Sequence, residues 1–316
     1  MFYSQKQTTD GEGRGTARLL VVGLALTLLT GGTLFALHAF GIAPVGIRQR
    51  NTELLRLWND GQYHEALQAA IAILESEPLN AEALTFAGFA RFYIGVELAE
   101  PAEQEAHLSE SIVLLRRAMR VPNAPLAAQR DYVLAKAYYH RGPDYANLAV
   151  AYMLESLERG FDAPDSRTYL ALSHAALRQH DQSVAWFQQA IRTADPSEID
   201  AIRLRAAESY VELGDYDAAR SLLLQAVESL EEDYLVLMAR NRLASVLILG
   251  DRLGEAEQLL DETIERYPDS ADAYYYLGIV YDTTGRPVQA RNLWRTAREI
   301  DPNHTDALMQ LANRRG

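Results

Sequence analysis

The chain has 316 residues, is 48% hydrophobic and carries a formal net charge of −13. It can therefore bury a sizeable core, and its acidic balance argues against phosphate backbones as partners, whose affinity rests on cationic neutralisation. It contains no cysteine, which excludes disulfides, Cys-ligated zinc and thiol catalysis.

The first 18 residues form a short tail. Gly11-x-Gly13-x-Gly15 has the look of a phosphate loop, but no strand-like run precedes it and an apolar run follows, so no phosphate site is expected there. Residues 19–40, LLVVGLALTLLTGGTLFALHAF, contain no formal charge, and the uncharged run continues to Ile47. About 20 apolar residues span a bilayer core, and backbone there has to satisfy its own hydrogen bonds. A transmembrane helix is expected over 19–43. The run is longer than the apolar region of a signal peptide, although Ala39-Phe40-Gly41 has the small residues of a cleavage site. Lys6, Arg14 and Arg18 flank one end; Arg48, Arg50 and Arg56 flank the other, so a count of nearby cations does not orient the span. A short basic tail followed by a long apolar helix resembles a signal anchor. That resemblance puts the body outside the cytoplasm, in a bacterial periplasm. Gly23, Thr27 and Gly31 share one helix face at i, i+4, i+8, a spacing at which two membrane helices approach closely and a homo-oligomer can form.

From residue 47 the pattern repeats. In YYYLGIVYDTTGRPVQA, residues 274–290, bulky Tyr274, Leu277 and Tyr281 fall on one helix face and Gly278 leaves room for a neighbour. Gly285 supplies a turn and Pro287 suits the first turn of a second helix, whose inner face is Ala290, Trp294 and Ala297. Neither helix can bury its stripe alone. Stacking equivalent hairpins solves this, and RNRLASVLILGDRLGEA, 34 residues earlier, repeats the pattern.

These residues resemble the tetratricopeptide repeat (TPR), whose pattern is W-x2-L-G-x2-Y, then A-x3-F, then P. Seven copies fit, at 47–80, 81–127, 128–163, 164–197, 200–233, 237–270 and 271–304, with a closing helix over 305–314. The copy at 164–197 lacks the turn glycine; in the copy at 237–270 the glycine, Gly250, comes one place early. The expected fold is an all-α TPR solenoid of about seven helical hairpins over 47–316, preceded by one transmembrane helix.

The sequence offers no catalytic constellation: it has neither HExxH nor a Walker lysine, and its seven histidines are scattered. No enzyme activity, metal or cofactor is expected. Residues 96–110 hold Glu97, Glu100, Glu103, Glu105 and Glu110 without a cation; this reads as a solvated loop, an extended second helix or an acidic docking patch. The TPR resemblance implies a partner-binding groove lined by first helices. Its family positions fall on Phe89, Phe92, Tyr93, Tyr132, Lys136, Tyr139 and His140, with Trp58 at the same level. Aromatics with polar tips suit interface hot spots, and Lys136, the only lysine of the body, is placed to meet a carboxylate. A second, more polar stretch falls on Arg205, Asn241, Arg242, Tyr275 and Asp282. The implied function is a membrane-anchored scaffold that binds protein partners, not nucleic acid, in assembly of an envelope complex. The alternative is a solute- or lipid-binding accessory protein of a transporter.

Overall fold

The computed structural model describes residues 52–313, and among these there are fifteen α-helices and no strand. No described helix is long and apolar enough to cross a membrane. The span expected at 19–43, with Gly23, Thr27 and Gly31, lies outside the described residues. The chain divides into two compact units between Asp215 and Tyr216.

The first unit contains α1 (Thr52–Asn59), α2 (Tyr63–Ser76), α3 (Ala81–Glu97), α4 (Pro101–Ala118), α5 (Ala127–His140), α6 (Ala146–Glu158), α7 (Ser166–Ala176), α8 (His180–Thr193) and α9 (Ile199–Glu212). The second contains α10 (Tyr216–Ser229), α11 (Asp233–Leu249), α12 (Leu253–Arg266), α13 (Ala271–Thr283), α14 (Pro287–Ile300) and α15 (Thr305–Asn313). The 200–233 copy is thus shared between the units. The acidic stretch 96–110 is mostly the start of α4, which opens on Pro101; Glu105 pairs with Arg141 and Glu110 with Arg91.

The second helices of the hairpins show why the period recurs. Each buries three positions at i, i+4 and i+7: Ser183, Phe187 and Ala190 in α8; Ala219, Leu223 and Ala226 in α10; Ala256, Leu260 and Thr263 in α12; Ala290, Trp294 and Ala297 in α14. Small residues flank one large anchor, and in the hairpins of α8, α12 and α14 the first helix comes close. Burying each anchor contributes on the order of 2–3 kcal/mol. Side chains of second helices also bond first-helix carbonyls. Ser111 Oγ donates to Gly88 O at 2.7 Å, Ser156 Oγ to Ala128 O at 2.8 Å, and Trp294 Nε1 to Tyr275 O at 3.2 Å.

The turns follow backbone sterics. Gly61, Gly214 and Gly285 end first helices with φ of 73°, 75° and 78°, the left-handed region that glycine enters without cost. In the copy without a glycine the same place is taken by Arg178, and in the copy whose glycine is early by Asp251, at φ 58° and 56°. Asn80 and Ser270 cap α3 and α13 by accepting from the N–H groups of Ala83 and Ala273. Helix α3 is the exception to the amphipathic rule: buried residues cover all its faces, from Ala83 to Val96, as expected of a helix apolar all round.

Candidate protein-interaction site

Six of the eight residues expected to line an open groove are inside the first unit. Trp58, Phe89, Phe92, Tyr93, Tyr132 and Lys136 are each no more than 3% exposed, while Tyr139 and His140 are half-buried. The reason lies in packing and charge. Trp58 stands among Tyr63, Phe86, Phe89 and Tyr93, with ring centroids 5.1–5.8 Å away, so these aromatics meet one another and not a partner. Lys136 does meet a carboxylate, but it belongs to the chain itself: Nζ lies 2.8 Å from Asp165 Oδ2, just before α7. Lys136 Nζ also donates to Tyr132 Oη at 3.0 Å, and Tyr132 Oη donates to Asp165 Oδ1 at 2.7 Å. The ammonium stands over the Tyr169, Tyr132 and Phe92 rings at 4.7, 5.0 and 5.6 Å, which supplies cation–π attraction in place of water.

The surroundings of this ion pair are shifted in protonation. Burial, and then the charge of Lys136, push the His140 imidazole down to about 3; it stays neutral and shares a 3.0 Å hydrogen bond with Tyr169 Oη. Burial, Asp165 and Asp195 push the Glu198 carboxyl up to about 7. The Tyr93, Tyr132 and Tyr169 phenols are raised well above their ordinary range, chiefly by burial. All these polar groups face inward and hold α3, α5, α7 and the start of α9 together.

The second expected stretch separates. Arg205, in the first unit, donates to Glu208 at 3.2 Å. Asp282 sits ten residues along α13 from Asp272, about 15 Å at helical rise. Asn241 and Arg242 come together in a cleft of about 320 Å³ in the second unit. Helix α11 contributes Tyr234, Leu237, Met238, Asn241 and Arg242 to it. That spacing of 3, 1, 3 and 1 residues is a single helix face. Ser270, Ala271, Asp272 and Tyr276 come from α13 and its cap, and Asp301 and His304 from the turn before α15. Tyr275 stands at its edge, stacked on His304 with centroids 5.1 Å apart.

The cleft is apolar along one wall and polar at the helix N-termini. Asn241 is 8% exposed; its Nδ2 donates to Ser270 Oγ at 3.4 Å, and its Oδ1 is buried without a hydrogen-bond partner. His304 Nδ1 accepts from Ala307 N at 3.2 Å, so the ring carries its proton on Nε2 and donates to Asp272 Oδ1 at 3.2 Å. The bond to Asp272 raises the His304 imidazole, against the effect of burial. Tyr234 is 53% exposed at the cleft. Most of these residues escape a search for family groove positions. The i+3/i+4 face of α11 is visible in sequence, but Ser270, Asp272, Asp301 and His304 are brought to it only by stacking of the hairpins.

Comparison with known proteins fits this architecture. Residues 204–271 and 247–313 match two sequence profiles of the tetratricopeptide repeat. The C-terminal part of a TPR repeat-containing protein from Cytophaga hutchinsonii aligns with a TM-score of 0.59 at 14% identity, covering 82% of this chain and 98% of that one, which shows the fold alone. A tetratricopeptide repeat protein from Parabacteroides merdae aligns at 0.49 and 13% identity, over 84% and 96%. The "probable biofilm formation methyltransferase WspC" of Pseudomonas putida is 40% identical over 62 residues, 19% of this chain and 15% of its own length. Residues 204–313 thus match tetratricopeptide repeats, and the described residues form an all-α fold of stacked helical hairpins.

Proposed function

We propose that the chain is a membrane-anchored, non-catalytic scaffold that holds a protein partner in the α11–α13–α15 cleft while a complex of the bacterial envelope assembles. One observation carries the reading. A preformed cleft combines half-buried Leu237, Met238 and Tyr276 with a buried, unpartnered amide oxygen on Asn241. An unpaired buried acceptor costs about 1–3 kcal/mol, and a peptide N–H laid in the cleft would relieve that cost. Apolar walls with a few polar groups are the usual composition of a binding cleft, and a preformed one loses little conformational entropy on docking. The methyltransferase named above shares only a short segment, and its chemistry is not carried over.

The test is a photo-crosslinking amino acid placed at Tyr234 in the full chain, in cells. Defined protein adducts are expected there. A probe at Val288, which is 72% exposed on α14, is expected to give few or different adducts. Identical adduct patterns at the two positions, or none at Tyr234, would overturn the reading.

A further inference from the structure

The cleft has a charge character that narrows its occupant. Among its lining residues Arg242 is the one arginine, and it already interacts within the protein. Against it stand Asp272, with a side chain 62% exposed, and exposed Asp301. Exposed Asp306 adds its field to the same place, since it acts on both Tyr276 and His304. The N-termini of α13 and α15 add about half a positive charge each. Three carboxylates outweigh that and Arg242. His304 accepts the Ala307 N–H through Nδ1 and is uncharged in this geometry, while its bond to Asp272 raises the imidazole, so that on protonation it offsets Asp272 and leaves Asp301 and Asp306 to set the balance. Among the side chains that line the cleft, the one buried polar atom left without a partner, Asn241 Oδ1, is an acceptor. Polar demand and net charge therefore have the same sign: both call for a donor that is positively charged. Tyr234, Leu237 and Met238 supply an apolar path along which a long aliphatic stem can lie.

We infer that the cleft takes a basic segment of its protein partner, with an arginine or lysine side chain laid along Leu237 and Met238 and its cationic head among Asp272, Asp301 and the Asn241 amide. This rests on the scaffold reading and specifies its partner. A volume of about 320 Å³ is at the low end for ligand sites, so it suits one inserted side chain with its flanking backbone. The remaining affinity has to come from a longer contact.

The experiment uses the full chain in detergent and four fluorescein-labelled 12-residue Gly/Ala/Ser peptides carrying three Arg, three Lys, three Glu or three Leu. Anisotropy is followed at about 50 mM and about 300 mM salt, a range over which the screening length falls from beyond to below about 10 Å. The Arg and Lys peptides are expected to saturate at low salt and to weaken several-fold at high salt; the Glu and Leu peptides are expected not to bind. Because the whole body is acidic, two double variants separate the cleft from general attraction. Asp272→Asn/Asp301→Asn is expected to weaken the basic peptides at least fivefold, while Glu100→Gln/Glu103→Gln, which removes the same charge elsewhere, leaves them within twofold. Asn at 272 can still accept from His304, so the first variant retains the α13–α15 bond. Equal loss in both variants, tightest binding of the Glu or Leu peptide, or no binding by any peptide would overturn the inference. If that occurs while adducts at Tyr234 persist, the scaffold reading stands and only its basic partner falls; loss of the adducts as well removes both.

Discussion

Lys136 shows how far a single side chain can mislead when only its position in a repeat is known. Its family register points into a groove, and its isolation in a nearly lysine-free chain makes it a conspicuous candidate to receive a carboxylate. The structure supplies that carboxylate from Asp165, which is 2% exposed, one repeat later. A buried pair of this kind is weak evidence of net stability, but breaking it is expensive, because the surviving charge has no water. Lys136→Met is expected to destabilise the chain by about 3–5 kcal/mol, leaving Asp165 with Tyr132 as its hydrogen-bond donor. In Lys136→Met/Asp165→Asn the stranded charge is gone and Tyr132 keeps an acceptor, so most of that loss should be recovered. Thermal unfolding followed by circular dichroism distinguishes the two; a single variant as stable as the parent would mean that water reaches Asp165. The ion pair was not legible in the sequence because Asp165 lies in a turn of no repeating pattern, and the 29-residue separation between Lys136 and Asp165 becomes a contact only once α5 and α7 stack.

At the scale of the element the sequence was far more informative. A helix that must bury one stripe against a neighbour repeats its small–large–small spacing, and α8, α10, α12 and α14 all do so. The reading of Gly278 as a point of close approach follows the same logic. A Cβ built there would sit inside van der Waals contact of the Trp294 indole, the fully buried anchor of α14. Trp294 cannot yield without losing its bond to Tyr275 O. Gly278→Ala is therefore expected to destabilise by about 1–3 kcal/mol, the usual cost of overpacking, despite the higher helix propensity of alanine. The control is Gly254→Ala in α12, where a Cβ would meet nothing within 4 Å; that change should be neutral or stabilising by up to about 1 kcal/mol. Equal unfolding midpoints for the two variants would show that α14 is free to shift. What the elements did not reveal is exposure. The pattern that makes α3 a good first helix is indistinguishable in sequence from one that is buried on every side, since Phe89, Phe92 and Tyr93 can serve as hot spots or as core.

At the scale of the whole molecule, the proposed scaffold depends on a tether as well as a cleft. The 22 uncharged residues at 19–40 match the length a bilayer requires, and the body beyond residue 47 is net acidic, which disfavours electrostatic adhesion to anionic lipid. The two sources of membrane association therefore separate cleanly by deletion. Removing residues 1–47 is expected to transfer the protein from the membrane to the soluble fraction, whereas washing the intact chain with high salt or alkaline carbonate is expected to leave it in the pellet. The side of the membrane is read from the same preparation. With the signal-anchor orientation, protease added to spheroplasts digests the body, and protease added to inverted inner-membrane vesicles leaves it whole. The reverse pattern would place the body in the cytoplasm and exclude periplasmic partners for the cleft. If the truncated chain still sediments with membranes, the apolar run is not the anchor, and the association has to come from a partner already held by the repeats. Anchoring matters to the cleft physically, because a tether confines the repeats to a thin layer and raises the effective concentration of any membrane-bound partner. A cleft that offers one basic side chain a modest affinity can then hold an envelope component without a large interface, which is the arrangement that the small cleft in α11–α15 requires.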